Sequence, residues 1–359
     1  MIQNPAVRVK SRLISLRRDQ ANSPKASKKS SRPAIDGSIQ VAGDLQFFAQ
    51  CLLAWYDEHK RDLPWRKDRD PYRVWLSEIM LQQTRVASVL EHYRRFLKKF
   101  PTVHRLAAAR ESSVLAVWSG LGYYRRARML HTAAKVVVKQ HRGQFPNCRE
   151  GLQQLPGIGR YTSAAIASIA YDEPVAVVDG NVERVLQRFI GKQVKGEEVW
   201  QIAEGLLDSR RPGDFNQALM ELGATVCLPR QPKCLLCPVS ALCVSRGELK
   251  MPQVASRQRK RTIHFALTRR KGDVWLVQRG NDASLMPGMW ELPELIPGAA
   301  NGNALLSLRH SITVTDYSVH VFETAKAENL AGKWVPTSRL PSLPLTGLAR
   351  KILRRVGTM

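Results

Sequence analysis

From Asp44 to about Arg246 apolar side chains return every three or four residues. Leu52, Leu53, Trp55 and Tyr56 keep this rhythm, and so do Val74, Trp75, Ile79, Met80, Val86, Val89, Leu90, Tyr93 and Leu97. Such spacing puts them on one face of each amphipathic helix. Pro101, Gly120-Leu121-Gly122, Gly143, Pro156-Gly157 and Pro212-Gly213 punctuate the helices. After about residue 247 the rhythm changes. Ile263, Phe265 and Leu267 alternate with polar neighbours, Val274-Trp275-Leu276-Val277 predicts a strand, and Val319, Val321 and Phe322 predict another. Thr346 to Arg355 fits a final helix. The pattern predicts a tail over 1–42, a helical region over 43–246, a basic linker over 247–261 and a small α+β domain over 262–359. With 359 residues the chain is long enough for two cores.

Charge narrows the partners. Lys and Arg number 56 against 30 acidic residues, a formal charge of +26. An excess of that size points to a polyanion, with nucleic acid ahead of an anionic membrane surface. No apolar run reaches the roughly 18 residues of a membrane span, so no membrane partner is expected, and a monomer is. The run from Pro24 to Pro33 is Lys- and Ser-rich and is expected to be disordered, either adding non-specific DNA affinity or merely solvated. No secretory segment is expected at the N-terminus, which is nonetheless Arg-rich and acid-poor, as transit peptides are. A bacterial cytosol is the expected location, with a nucleus or organelle if the source is eukaryotic.

The cysteines are clustered as Cys227-x6-Cys234-x2-Cys237-x5-Cys243, apart from Cys51 and Cys148. Four thiolates in one short loop can satisfy one metal centre. Zinc ribbons use two separated C-x2-C knuckles and only one such pair occurs here, so a [4Fe–4S] cluster fits better. Arg230, Lys233 and Arg246 stud the same loop and suit a DNA-backbone clamp. Upstream, Leu155-Pro156-Gly157-Ile158-Gly159 lies between two helical stretches. Two glycines two apart allow a tight turn whose N–H groups, next to a helix N-terminus, can hold a phosphate. A plain αα-hairpin turn would use the same residues. Thr162-Ser163-Ala164-Ala165-Ile166-Ala167 then offers small side chains for close helix packing.

The hairpin, Val178-Asp179-Gly180-Asn181-Val182 and the four-cysteine loop together resemble the endonuclease III superfamily of DNA glycosylases. Arg61-Asp62-Leu63-Pro64-Trp65-Arg66, Trp75 to Thr84, and Gly120-Leu121-Gly122-Tyr123-Tyr124 are similar to its MutY branch, densely over residues 45–245. The resemblance implies a mainly α catalytic region, a helix–hairpin–helix glycosylase with a [4Fe–4S] loop held by Cys227, Cys234, Cys237 and Cys243, plus a C-terminal Nudix-like α+β domain. Residues 45–70 should then pack with the cysteine-bearing part. The implied reaction is monofunctional hydrolysis of adenine from double-stranded DNA where it is mispaired with 8-oxoguanine or guanine.

Such an enzyme takes the base out of the stack. It then needs an acid for the leaving base and a carboxylate facing the oxocarbenium-like sugar. By resemblance Glu78 is the acid that protonates adenine at N7. It sits among Leu76, Ile79, Met80 and Leu81, where burial would raise its pKa; a helix-surface glutamate is the plainer alternative. Asp179 matches the aspartate that stabilises or attacks the sugar carbon. As Asp-Gly-Asn before a helical stretch it is also a good N-cap, and both roles can coexist. Asn181 matches a residue that positions this chemistry. The strand-cleaving relatives carry a lysine two positions after the second hairpin glycine; here that position is Tyr161, expected near the sugar and Asp179. Arg61, Leu63, Trp65, Arg66, Leu81, Val86 and Gln217 match adenine-pocket positions. Gln83, Thr84 and Tyr123 match residues at the duplex near the opposing base, with Tyr123 a wedge or simply an exposed loop aromatic. Leu155, Gly157 and Gly159 would hold a phosphate.

Gly288-Met289-Trp290-Glu291-Leu292-Pro293-Glu294 is similar to the opening of a Nudix box, but the glutamate-rich remainder is absent and pyrophosphatase activity is not expected. In the reader loop His310-Ser311-Ile312-Thr313 replaces the family's Phe-Ser-His, leaving Ser311, with His310 assisting, to contact an oxidised guanine. Two other readings remain open: a related glycosylase of different base preference, and a non-catalytic iron–sulfur DNA-binding protein.

Overall fold

The computed structural model describes residues 36–249, 259–296, 302–312, 314–324 and 331–359, with only the backbone over 36–44. The predicted tail up to residue 35 and the linker over 250–258 lie outside the described residues. In chain order the helices are α1 (Asp36–His59), α2 (Pro71–Leu81), α3 (Val86–Lys99), α4 (Val103–Ala107), α5 (Glu111–Trp118), α6 (Tyr124–His141), α7 (Arg149–Gln153), α8 (Arg160–Tyr171), α9 (Gly180–Ile190), α10 (Glu197–Leu206) and α11 (Pro212–Thr225). The strands are β1 (Arg259–Leu267), β2 (Arg269–Arg270), β3 (Asp273–Gln278), β4 (Trp290–Glu291), β5 (Glu294–Leu295), β6 (Leu306–Ile312), β7 (Thr315–Glu323) and β8 (Lys333–Pro336), and α12 (Gly347–Arg355) follows them. The described residues form two compact units, those of 36–75 with those of 145–249, and those of 76–144 with those of 259–359.

The first unit is built around α1. Phe48, Leu52 and Tyr56 pack with Leu186 and Phe189 of α9, Phe215, Leu219 and Leu222 of α11, and Val239 and Leu242 of the cysteine loop. Each such side chain contributes about 1.5–3 kcal/mol when fully buried. The segment after residue 45 thus packs with the cysteine-bearing part, as its apolar face requires. The small residues of α8 do what their size allows: Thr162 through Ile169 are all buried. A Cβ on Gly213 would stand 2.5 Å from the Ser168 carbonyl oxygen, so only glycine lets α11 start this close to α8.

The second unit unites α3–α6 with the C-terminal domain. Val89, Tyr93 and Phe96 bury one face of α3, and Phe96 meets Trp118 of α5 edge-on at 6.0 Å between ring centroids. The domain contains a mixed sheet in the order β5-β1-β7-β6, with β1 and β7 parallel, and a second sheet of β2-β3-β4 with β8 on β3. Leu348, Ala349, Ile352 and Leu353 of α12 complete its core with Val319, Val321 and Val335. Strand β1 begins at Arg259, inside the predicted linker, because residues 259–267 pair in continuous register with 315–323. A buried joint ties the domain to the helices. Ser119 Oγ donates to the Leu345 carbonyl at 2.6 Å, Arg350 Nε donates to Ser119 Oγ at 2.8 Å, and the Tyr124 hydroxyl donates to Leu345 at 3.4 Å.

Candidate active site

Asp179 is the N-cap of α9, which places its carboxylate at the positive end of the helix. Oδ1 accepts the backbone N–H groups of Asn181 at 2.9 Å and Val182 at 2.8 Å, and Oδ2 accepts from Asn181 Nδ2 at 3.0 Å. Arg184, one turn on, donates to Asn181 Oδ1 at 2.8 Å, to the Gly223 carbonyl at 2.8 Å and to the Cys227 carbonyl at 2.9 Å. A continuous chain of hydrogen bonds therefore runs from Asp179 to the first residue of the cysteine loop. Helix α11 comes close because residue 223 has no side chain; a Cβ there would lie 2.7 Å from Asn181 Cβ. The Tyr161 hydroxyl, on the first turn of α8, donates to Met220 Sδ at 3.3 Å.

Glu78 belongs to the second unit. It is 6 % exposed on α2, where every residue from Val74 to Met80 is buried. The carboxyl is therefore inside the protein, not on a helix surface. Leu81 and Val86, also of the second unit, are half-buried. The other expected pocket residues lie in the first unit. Leu63 and Trp65 are buried, and Gln217 is half-buried on α11 one turn before Glu221.

Arg61 and Arg66 both bind Glu221. Arg61 Nε meets Oε1 at 2.6 Å and a terminal nitrogen meets Oε2 at 2.8 Å, while Arg66 reaches Oε2 at 2.9 Å. Burial alone would push the Glu221 carboxyl up, but the Arg61 hydrogen bonds and the Arg66 charge outweigh it and hold it below the usual carboxylate range. The two arginines thus brace the Arg61–Arg66 segment through a buried carboxylate.

Gln83 and Tyr123 are both exposed and both left-handed, with φ of 55° and 48°. Arg126 lies behind them, its guanidinium 5.3 Å from the Tyr123 ring centroid. Thr84, next to Gln83, accepts from Arg126 at 3.0 Å. In the hairpin, Leu155 is buried and accepts from Ile158 N–H at 3.1 Å. Of the two glycines only Gly157 is left-handed, at φ +77°; Gly159 has φ −93° and caps α8. A Cβ on Gly159 would meet nothing within 4 Å, so the space before the helix is open. His310 and Ser311 lie on β6 opposite Tyr317 and Asp316, not on a loop, because the β6–β7 ladder extends to Ile312. Ser311 Oγ donates to Asp316, and burial lowers the His310 pKa. Thr313 lies outside the described residues.

A model of the HhH-GPD superfamily of base excision DNA repair proteins matches residues 76–206. The chain is 36% identical over 241 residues to an adenine DNA glycosylase of Buchnera aphidicola subsp. Acyrthosiphon pisum, covering 64% of this chain and 69% of that protein. The chain belongs to the adenine DNA glycosylase family. Identity to the rat adenine DNA glycosylase is higher, 52% over 215 residues, which is 56% of this chain. The chain spans less than half of the rat, mouse and human adenine DNA glycosylases, 42%, 44% and 41% of their lengths. Among solved structures, a thermostable thymine-DNA glycosylase aligns with a TM-score of 0.54 at 31% identity, covering 58% of this chain and 98% of that one. A non-covalent endonuclease III–DNA complex aligns at a TM-score of 0.51 and 22% identity, which shows the shared fold.

In this adenine DNA glycosylase family member the four loop cysteines, none in a disulfide, line a cavity with Arg188, Lys233 and Gly247. The cavity is partly open to solvent. Among the described residues no three His, Cys, Asp or Glu side chains close on a point that would hold a single metal ion. Four thiols lining one cavity are a donor set that fits a thiolate-bound metal group. Arg188 is 3 % exposed and donates to Cys227 Sγ at 3.4 Å and to the Leu228 carbonyl at 2.6 Å, placing a cation where thiolates would need one. Arg230, Lys233 and Arg246 are exposed on the same loop.

Sequence reasoning missed Glu221, Arg184 and Arg126. Glu221 had a signal, a carboxylate flanked by the apolar Ala218, Leu219, Met220 and Leu222. Arg126 had none, since Arg125-Arg126-Ala127-Arg128 resembles any solvated basic face.

Proposed function

We propose that this chain is a monofunctional adenine DNA glycosylase acting on adenine opposite 8-oxoguanine or guanine in double-stranded DNA. What carries this reading, beyond family membership, is the pair of carboxyls in two different settings: Glu78 in an apolar helix interior, and Asp179 fixed by three N–H donors at a helix N-terminus. In the reaction the bond from C1′ to N9 of adenine breaks, and its electron pair leaves with the base. Glu78 supplies the proton that the departing base takes at N7. Asp179, its orientation set by Asn181, faces the cationic sugar carbon. Water then adds at C1′ and gives up a proton, leaving an abasic site. Tyr161 carries no amine, so no Schiff base forms and the strand stays intact. Cys227, Cys234, Cys237 and Cys243 would hold a [4Fe–4S] cluster, which would fix the basic loop against the DNA backbone without entering the chemistry. Gln83, Thr84 and Tyr123 enter the duplex, Gly157 and Gly159 hold a phosphate, and Ser311 with His310 reads the opposing base.

The test is single-turnover excision from duplexes with adenine opposite 8-oxoguanine, adenine opposite guanine, and thymine opposite guanine, read with and without alkali. Adenine loss fastest opposite 8-oxoguanine, strand breakage only with alkali, and loss of activity in Glu78→Gln support the reading. The likeness to a thymine-DNA glycosylase favours a second reading, a different base preference, and faster thymine release would establish it.

A further inference from the structure

Gln83 and Tyr123 share an unusual backbone, and one side chain bonds to both turns. A non-glycine residue in the left-handed region is strained and persists only where its surroundings over-determine it. At Gln83 and Tyr123 that surrounding includes Arg126, together with the Thr84 hydroxyl, which donates to the Gln82 carbonyl at 3.3 Å, and Trp118 Nε1, which donates to the Gly122 carbonyl at 3.1 Å. One terminal nitrogen of Arg126 donates to the carbonyl of Gln82, and the other to the carbonyl of Gly122 at 3.4 Å. These two carbonyls belong to the peptide groups immediately before Gln83 and Tyr123. The guanidinium is the one group that bonds to both of these carbonyls, and so it links the peptide planes from which the two positive φ angles are turned. The same guanidinium caps the helix of Glu78, donating to the carbonyls of Ile79 at 2.8 Å and Met80 at 2.9 Å. Those carbonyls lie at the negative end of α2, where a cation is favoured.

Arg126 has no carboxylate partner among the described residues. Its counterparts are carbonyl dipoles, the Thr84 hydroxyl and the faces of Trp118 and Tyr123, 5.5 Å and 5.3 Å away. Burial pushes its pKa down to about 10, so it stays protonated at neutral pH. The loop bearing Tyr123 is held from its other side by the joint of Ser119 and Tyr124 with Leu345. Tyr123 thus projects from a turn fixed on both flanks.

We infer that Arg126 is a positioning residue that presents Gln83 and Tyr123 to the duplex as one rigid pair, registered to the end of the Glu78 helix. This rests on the proposed function, in which those two side chains enter the DNA. Without the fork of Arg126 the two turns relax separately, and a duplex still binds but its bases are not parted.

The experiment is a double-mutant cycle with a fluorescence readout. The probe is a duplex with 2-aminopurine beside the 8-oxoguanine that faces adenine, because 2-aminopurine brightens when unstacked. The full chain should give a rise in fluorescence on binding. Arg126→Met should cut that rise by at least about fivefold, a factor within the coupling range of contacting residues, while duplex affinity changes by less than about threefold. Arg126→Lys, which keeps the charge but not the fork, should fall between. In a Gln83→Ala/Tyr123→Ala background, Arg126→Met should lower single-turnover excision by less than about twofold further, since it acts through those residues. An equal loss in both backgrounds, an undiminished rise in Arg126→Met, or no rise with the unaltered chain overturns the inference. If Arg126→Met does not fold, Arg126→Lys carries the same cycle and the same outcomes. Failure of the unaltered chain to release adenine from any duplex overturns the proposed function instead, and the fluorescence rise still decides the role of Arg126.

Discussion

Replacing Glu221 by glutamine keeps its shape and removes its charge. The carboxylate is 1% exposed and accepts from Arg61 Nε, an Arg61 terminal nitrogen, the Arg61 backbone N–H and Arg66. Hydrogen bonds to a charged group are worth about 1.5–3 kcal/mol each, and breaking a buried pair by removing one partner costs about 3–5 kcal/mol. Arg61 is 39% exposed and can return to water, whereas Arg66 is 13% exposed and cannot do so easily. The Arg61 share is therefore discounted, and the expected loss lies near the lower limit, about 3 kcal/mol. Urea unfolding followed by tryptophan fluorescence near pH 7 measures it, since Trp65 sits between the two arginines. The pH dependence adds a sign. The native carboxyl is held below its usual value, so its contribution is complete above the unfolded pKa of about 4.3. It is lost as pH falls through the lower native value. The stability gap between the two proteins should be level from neutral pH down to about 5 and shrink in stronger acid. A gap under about 0.5 kcal/mol at neutral pH, or one that does not shrink in acid, would refute the idea that this carboxylate organises the Arg61–Arg66 segment.

Other outcomes are expected elsewhere in the first unit. Asp179→Asn should separate cap from chemistry: asparagine caps almost as well, so thermal stability drops by less than about 1 kcal/mol, while single-turnover excision falls about 10²–10³-fold; parallel losses would mean Asp179 is only a cap. Gly223→Ala should cost about 1–3 kcal/mol by overpacking against Asn181, measurable by urea unfolding, and an unchanged midpoint would show that α11 has slack there. Cys237→Ala should lower bound iron and visible absorbance in the purified protein, and undiminished iron would remove Cys237 from the ligand set.

Part of this molecule could be read directly from the chain. The three-to-four rhythm of apolar residues determined the helices, and the alternation at Ile263, Phe265 and Leu267 located β1, because periodicity is a local property of the backbone. Asp179 before Gly180-Asn181 was legible as a cap for the same reason, and the cysteine spacing was legible because one loop supplies all four thiols. What the chain could not show is which distant groups meet. Arg61 and Glu221 are 160 positions apart in sequence yet share hydrogen bonds. Whether His310 and Ser311 sit in a loop or a ladder depended on their partners across β7. Arg126 looks like its basic neighbours until the fold turns it inward onto the carbonyls of Gln82 and Gly122, in two separate turns. Local patterns fix secondary structure; a buried charge acquires its role only from the groups that tertiary packing brings to it.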